Sequence, residues 1–559
     1  MQEALQQALD QALSDLGAPG QHIRLERPKD ADHGDFTSNI AMVVAKVLRR
    51  PPRQIAQDLA GAVAGVTGVH RVEVAGPGFL NFFLDADSVG SVLTRLREEG
   101  ESYGRSDLGR GQPIMVEFVS ANPTGPLHLG HGRQAALGDG IASLLEWTGW
   151  KVHREFYFND AGKQMEKLAH SVWIRYQQSL GVDVALPDDG YKGEYIRELA
   201  DSFRQAHEDR YLNDDSPEVL RLMERHAVKV LRAEQMKDLE DFGVHFDEWY
   251  RESSLYEDGR VEATVSALKE TGLTYEKDGA LWLETTRFGD QKDRVMLKSD
   301  GSATYFLPDV AYHMSKWERG FTRVVNVQGS DHHGTVDRVR AGLQALGRPE
   351  GYPEYVLHQM VTVERGGQEV RFSKRAGSYA TMGELVEQVG VDVARYFFLM
   401  RRPEAHLSFD LDMALDQSDK NPVYKIQYAH ARMCSIFARA AEDGVSASPD
   451  DAHPALLTQP AERELLNQLA EFPETVARAA RDRAPHVMCD YLERTAGMVN
   501  SWYHAGNPSR NPELAVLVPD PGLSAARMAL ADGIRIVLRN GLATLGVTAP
   551  ERMDRQATA

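Results

Sequence analysis

Ala121-Asn122-Pro123-Thr124-Gly125-Pro126-Leu127-His128-Leu129-Gly130-His131 sets two histidines three positions apart, directly after an apolar run, Ile114 to Val119, with the character of a buried strand. Pro123, Gly125 and Pro126 break that strand. From Gly132 to Trp147, apolar residues at Ala135, Leu137, Ile141, Leu144 and Leu145 return at helical spacing. His128 and His131 are therefore expected at a strand-to-helix turn. Open parallel sheets bind ligands beyond the carboxyl ends of their strands, and a helix N-terminus offers unpaired N–H groups to phosphate. Gly130 and Gly132 let a flat base approach the backbone closely. Two imidazoles beside such a pocket can donate hydrogen bonds to phosphate oxygens whose charge grows during displacement. A metal half-site or a surface pair uses the same spacing, so the turn alone leaves the nucleotide reading and these two open.

A second element favours the nucleotide. Arg371-Phe372-Ser373-Lys374-Arg375, followed by Ala376-Gly377-Ser378, is a basic, Gly-containing loop after the apolar run Tyr355 to Val363, and Lys374 is suited to a triphosphate. The two elements together resemble the signatures of class I aminoacyl-tRNA synthetases. His128-Leu129-Gly130-His131 stands for the "HIGH" motif and Arg371 to Arg375 for the "KMSKS" loop. The first match is close. In the second, Ser373 and Lys374 fit, while Arg371, Phe372 and Arg375 replace the lysine, methionine and final serine.

Within that class the chain resembles the arginyl-tRNA synthetases. Four stretches carry the resemblance: Asp32-His33-Gly34-Asp35-Phe36-Thr37-Ser38-Asn39, Glu117-Phe118-Val119-Ser120-Ala121-Asn122-Pro123, Asn421-Pro422-Val423-Tyr424-Lys425-Ile426-Gln427-Tyr428-Ala429-His430-Ala431-Arg432, and Gly546-Val547-Thr548-Ala549-Pro550-Glu551-Arg552-Met553. Many members of the family lack the second KMSKS lysine and carry a lysine just ahead of the HIGH motif. This chain has Thr124 and Gly125 there and keeps Lys374, which places the positive charge for the triphosphate on the later loop.

The resemblance implies an α/β fold: a Rossmann-type parallel-sheet catalytic domain with an N-terminal α+β domain and a C-terminal all-helical domain. The sequence pattern agrees. Residues 1–106 read as an α+β unit, with an amphipathic first helix, a helix from Asn39 to Arg49 and a ribbon from Val72 to Leu84 around Gly76-Pro77-Gly78. A polar, Gly-rich linker, Gly100 to Gln112, follows. The catalytic unit is expected over 113–411, with strands at Ile114 to Val119, Arg323 to Val327 and Tyr355 to Val363, and an insertion at about 162–300 that includes the ribbon Ala280 to Glu284. From 417 to 559 the pattern is helical, interrupted by a Ser/Asp/Pro-rich loop from Asp443 to Pro460.

The family's reaction is two-step: the arginine carboxylate attacks the α-phosphate of ATP to give arginyl-adenylate, and a ribose hydroxyl of the 3′-terminal adenosine of tRNA(Arg) then takes the arginyl group. By resemblance His128, His131 and Lys374 are the catalytic residues, and Gly130, Gly132, Gly329, Asp331 and Ser373 bind ATP. Glu117 and Asn122 hold the amino-acid end of arginine, Tyr305 and Asp309 its guanidinium, and Gln328 joins that pocket. A carboxylate such as Asp309 can pair with guanidinium in bidentate fashion; an aspartate in a first helical turn is also a common helix-dipole partner. Phe79 and Asn81 fall where a D-loop base would be stacked and hydrogen-bonded, and Tyr424, Tyr428 and Arg432 where the anticodon domain meets tRNA. Core packing is the competing reading for Phe79, Asn81 and both tyrosines.

ATP with Mg2+ is expected as a substrate complex, with no tightly bound cofactor and no protein metal site. Cys434 and Cys489, the two cysteines, make neither a disulfide framework nor a structural zinc site. Met1 to Leu16 is polar and no run of about 18 apolar residues occurs, so neither a signal peptide nor a membrane partner is expected. A cytoplasmic monomer is the expectation. The formal net charge of −19 argues against bulk nucleic-acid binding, while basic runs at Arg49 to Arg53, Arg371 to Arg375, Arg401-Arg402 and Arg478 to Arg483 leave room for one specific tRNA. Each run is also typical of a solvated helix face. Three rivals are disfavoured. Cysteinyl synthetases need zinc thiolates, small nucleotidylyltransferases lack the long helical C-terminus, and a non-catalytic paralogue would be expected to lose His128, His131 or Lys374.

Overall fold

Ile114, Met115 and Val116 are buried on both faces of the strand Pro113–Glu117, as a central strand of a parallel sheet requires. The computed structural model describes residues 2–26, 28, 33–160, 163–370, 381–445 and 448–553. Five parallel strands lie in the spatial order Glu354–His358, Val324–Gly329, Pro113–Glu117, Lys151–Phe158, Glu248–Arg251. The two halves wind outward from the boundary between Pro113–Glu117 and Val324–Gly329. Their carboxyl ends therefore open a crevice at the point where strand order reverses. The helix Leu129–Trp147 makes one crossover there and His333–Ala345 the other.

The run Tyr355 to Val363 divides. Glu354–His358 ends the parallel sheet, and Val361–Arg365 joins a separate sheet with Gln368–Glu369 and Leu407–Asp410. At the break, Gln359 donates its N–H to Pro403 O, and its carbonyl is claimed by the buried Arg133 guanidinium at 2.7 Å. Hydrophobicity does not mark that break, because the competing partner lies far along the chain.

Between residues 162 and 300 the chain makes two excursions rather than a single insertion. The helices Lys163–Ser179, Glu194–His207 and Pro217–Asp241 form the first and have their own core. Glu248–Arg251 then returns to the parallel sheet, before a second excursion carries the antiparallel strands Thr274–Lys277, Ala280–Leu283 and Arg294–Leu297.

In the N-terminal unit the helices Gln2–Asp15, Ile40–Leu48 and Pro52–Val63 cover a three-stranded antiparallel sheet ordered Phe36–Ser38, Phe79–Leu84, Val69–Ala75. That core closes at Leu84. The next helix, Ala86–Glu99, buries Leu93 and Leu96 in the main core instead, and Tyr103 OH donates to Leu469 O at 3.0 Å.

The C-terminal part is built on Pro422–Glu442, Pro460–Ala470, Phe472–Arg481, His486–Ala505 and Pro521–Thr544. One side chain binds this part to the catalytic helix. Arg395, 1% exposed, donates to Asp139 Oδ2 (2.5 Å) on the helix Leu129–Trp147, to Phe242 O (3.1 Å) and to Leu545 O (3.1 Å). Gly546, at φ +66°, lies so close that a Cβ there would stand 2.3 Å from the guanidinium.

Candidate active site at the sheet crossover

Past Glu117 the chain turns through Val119 (φ +68°) and Ser120 (φ +44°), a left-handed pair that is strained for a β-branched residue. Side chains hold the turn. Ser120 Oγ donates to Glu117 Oε1 at 3.0 Å and accepts from Tyr157 N at 3.2 Å. Further on, the buried Gln235 amide donates to Asn122 O and Gly125 O at 3.1 and 2.8 Å, and Tyr195 OH donates to Thr124 O.

His128 is the N-cap of the helix Leu129–Trp147. Its Nδ1 accepts from Gly130 N at 3.1 Å and His131 N at 3.4 Å, while His131 Nδ1 accepts from His128 N at 3.2 Å. Two histidines thus make a capping box, a device usually built from Ser/Thr and Glu/Gln. Burial pushes His128 below the usual histidine range and His131 well below it, so both are neutral near pH 7. A neutral imidazole whose Nδ1 accepts carries its proton on Nε2. The cap therefore fixes both tautomers and makes each Nε2–H the donor of its ring.

Gly130 lies under the His128 ring, where a Cβ would meet Cε1 at 2.9 Å. Gly132 is packed beneath Met382 and Phe398, and that packing, rather than a ligand, accounts for its lack of a side chain. Across the crevice, Gly329 ends its strand against the exposed Asp331 carboxylate, whose charge offsets only part of the lowering that burial imposes on His128 and His358. Ser373 and Lys374 lie outside the described residues. The chain re-enters at Thr381, which pairs in antiparallel fashion with His128, and Met382 N donates to Leu127 O at 2.8 Å.

Beside the crevice is an acidic recess. Asp309 stands in the first turn of the helix Phe306–Glu318, half-buried, with no hydrogen-bond or ion-pair partner among the described residues. Loss of hydration, reinforced by the charge of Glu252, pushes its carboxyl up to about 7. Glu252 is itself buried, accepts from Tyr157 OH at 2.9 Å, and is also raised by burial. Glu117, at the floor, is buried against Lys316 Nζ at 2.5 Å, and Lys316 also donates to Asn326 Oδ1 at 3.2 Å. Asn122 Nδ2 donates to Gln164 Oε1 at 2.7 Å. Gln328 Oε1 is buried without a partner among the described residues, and Tyr305 is 76% exposed at the rim, next to Tyr256. Sequence reading missed Glu252, Tyr157 and Gln235. Glu252 follows a strand inside the span expected as an insertion, among Asp247, Glu248, Glu257 and Asp258, and nothing in that acidic stretch singles it out.

Far from the crevice, Phe79 is 38% exposed, whereas Asn81 is buried and accepts from Thr37 Oγ1 at 2.8 Å. On the helix Pro422–Glu442, Tyr424 and Tyr428 stack at 5.5 Å. The Arg432 guanidinium lies 4.3 Å from the Tyr428 ring centroid and is buried against Asn500 at 2.6 Å. Tyr424 lines a depression of about 410 Å3 with Asn421, Gln427 and Met553.

Residues 93–397 match the family model for the catalytic domain of class I (R) tRNA synthetases, residues 2–84 the arginyl tRNA synthetase N terminal domain, and residues 426–553 the DALR anticodon binding domain. Arginine–tRNA ligase of Geotalea daltonii is 49% identical over 570 residues, covering 99% of this chain and 100% of the relative. The chain belongs to the arginyl-tRNA synthetase family. The corresponding ligase of Thiobacillus denitrificans is also 49% identical, covering 95% of both chains. The solved arginyl-tRNA synthetase of Thermus thermophilus has the same fold, with a TM-score of 0.77 at 24% identity, covering 99% of this chain and 100% of that one. As an arginyl-tRNA synthetase the protein is a class I ligase that uses ATP to join arginine to tRNA(Arg). Among its described residues no helix is long and apolar enough to cross a membrane.

Proposed function

We propose the following division of labour within that reaction. Asp309, with Glu252 beside it, takes the arginine guanidinium. Glu117 and Asn122 take the ammonium end, Gln328 adds an acceptor to the pocket, and Tyr305 closes over the ligand from the rim. The Nε2–H groups of His128 and His131 donate to the α-phosphate oxygens as the arginine carboxylate attacks and pyrophosphate leaves. Lys374 neutralises the β- and γ-phosphates, with Ser373 beside it. Gly329 and Asp331 receive the ribose, and Gly130 allows the nucleotide close to the helix start, while Gly132 serves the packing beneath Met382 and Phe398. Magnesium enters as MgATP, carried by the phosphates. Catalysis on this reading is positioning and charge stabilisation, with no covalent enzyme intermediate.

Phe79 and Asn81 contact the tRNA elbow, with Asn81 turned from Thr37 toward the base, and the Tyr424–Tyr428–Arg432 stripe serves the anticodon. The enzyme acts as a cytoplasmic monomer, and arginine activation waits for tRNA. One observation carries the reading: Asp309 is a half-buried carboxylate without a partner among the described residues, next to a second buried carboxylate, at the same crevice as two histidines with fixed tautomers. The test is amino-acid-dependent exchange of labelled pyrophosphate into ATP, with and without tRNA. Exchange with arginine alone, and only once tRNA is added, is the expected result. Exchange without tRNA would overturn the gating, and exchange with another amino acid would overturn the pocket assignment.

A further inference from the structure

Next to the exposed ring of Phe79 the fold assembles a cationic edge that pairing among the described residues does not account for. The helix Ile40–Leu48 ends at Arg49, left-handed at φ +50°, whose N–H returns to Ala45 O. The chain then enters the helix Pro52–Val63, and its start packs on the turn that precedes Phe79. A Cβ on Gly78 would lie 3.0 Å from the Pro52 carbonyl, and Arg53 Nη1 donates to Gly76 O at 3.2 Å. These contacts fix Phe79 and the run Arg49 to Arg53 relative to one another.

Arg50 is committed to Asp58 at 2.5 Å and Arg53 braces the turn, but Lys46 and Arg49 are exposed and make no hydrogen bond or ion pair among the described residues. Val43 and Val47, 52% and 59% exposed, share a helix face with Lys46. In a chain of net charge −19, cations without an ion pair among the described residues, beside two exposed valines and an exposed aromatic ring, are a localised feature. RNA matches it: phosphates take the cations, ribose covers the aliphatic strip, and an unstacked base takes the ring. The acidic body repels a polyanion elsewhere, which confines binding to such edges.

We propose that Lys46, Arg49 and Val47 clamp the phosphate–ribose backbone of the tRNA(Arg) elbow strand whose base stacks on Phe79. The inference rests on the reading of Phe79 as a tRNA contact, and its test separates the two. Binding of tRNA(Arg) to the full-length enzyme is measured over a range of salt concentrations for the wild type, for the double variant Lys46→Gln/Arg49→Gln, and for Phe79→Ala. Loss of two phosphate contacts makes the slope of log affinity against log salt shallower by about 1.4 to 1.8 and weakens binding roughly tenfold or more at low salt. Phe79→Ala weakens binding while keeping the slope. Both altered side chains are exposed, so the thermal unfolding of the double variant stays that of the wild type, and Lys46→Arg keeps the slope. Arg71→Gln is the charge control on the same domain, because Arg71 is already engaged by Glu73 at 3.1 Å and lies over Phe83, and it leaves the slope unchanged.

A double variant with wild-type affinity and slope, alongside a weakened Phe79→Ala, would overturn the clamp and leave the elbow contact standing. Unchanged binding in both would remove the elbow contact and the clamp with it. An equal slope loss in Arg71→Gln would reduce the effect to net charge and overturn the clamp.

Discussion

His128 and His131 cap each other. Each Nδ1 accepts the other residue's backbone N–H, at 3.4 and 3.2 Å, and the two rings stack with centroids 3.6 Å apart. One pair of residues thus satisfies the helix start and leaves Nε2–H as the donor of each ring, the group assigned above to the α-phosphate. The structural and chemical duties separate on substitution. Asparagine is among the best N-cap residues but has no imidazole Nε2–H. His128→Asn is therefore expected to change stability by no more than about 1 kcal/mol. It should lower kcat for arginine activation on the order of a hundredfold to a thousandfold, the usual cost of one oxyanion donor. Thermal unfolding and single-turnover adenylate formation check the two halves. A large loss of stability with little loss of rate would assign His128 to the cap alone.

On the proposed pocket, Asp309 gives arginine binding a pH dependence. Its carboxyl is pushed up to about 7 by burial and by Glu252, so below that pH it must lose a proton before it can pair with guanidinium. Arginine affinity should rise with pH through about 7 and then level off, with proton release on binding in the acidic arm. Calorimetry in buffers of different ionisation enthalpy measures that release.

The same shift has a stability counterpart. The folded pKa lies above the unfolded value of 3.8, so the native state holds this proton more tightly than the unfolded chain. The contribution is fully present in acid below that value and is lost as pH rises through about 7. On the proposed pocket, arginine gives the ionised group a partner. The rise in Tm on adding a fixed excess of arginine should therefore be greater at pH 8 than at pH 6.

Arg395 and Gly546 supply a stability test away from the crevice. At Gly546 a methyl group would meet the guanidinium at 2.3 Å in a left-handed backbone. Gly546→Ala should cost roughly 2 to 4 kcal/mol, from backbone strain plus overpacking. Loosening of the Asp139 contact should follow. Denaturant unfolding measures the cost, and amide exchange across the helix Leu129–Trp147 reports the loosening.

The turn at His128 was legible because proline, glycine and helical periodicity all mark one place, and the sheet followed from apolar runs on either side of it. Other features were not legible. The return of Glu248–Arg251 to the sheet was hidden, since a short edge strand of mixed polarity resembles the charged helices around it. The mutual cap was hidden as well, because its geometry depends on which nitrogen of each ring meets which amide. Asp309 could be named from its position after Tyr305 and Pro308. Its lack of a partner among the described residues could not, because that is decided by residues from distant elements, among them Glu252 and Lys316. Likewise the run Arg49 to Arg53 is only a charged stretch until Pro52 and Arg53 are seen against the Gly76–Gly78 turn.

The most direct test of the pocket is Asp309→Asn, which keeps the shape of the side chain and removes its charge. Steady-state exchange at saturating tRNA gives kcat/KM for arginine and, separately, for ATP. The expected result is a loss for arginine of roughly 2 to 5 kcal/mol, on the order of thirtyfold to several thousandfold, with the KM for ATP little changed. Unchanged kcat/KM for arginine would show that the guanidinium is read elsewhere and would contradict the account.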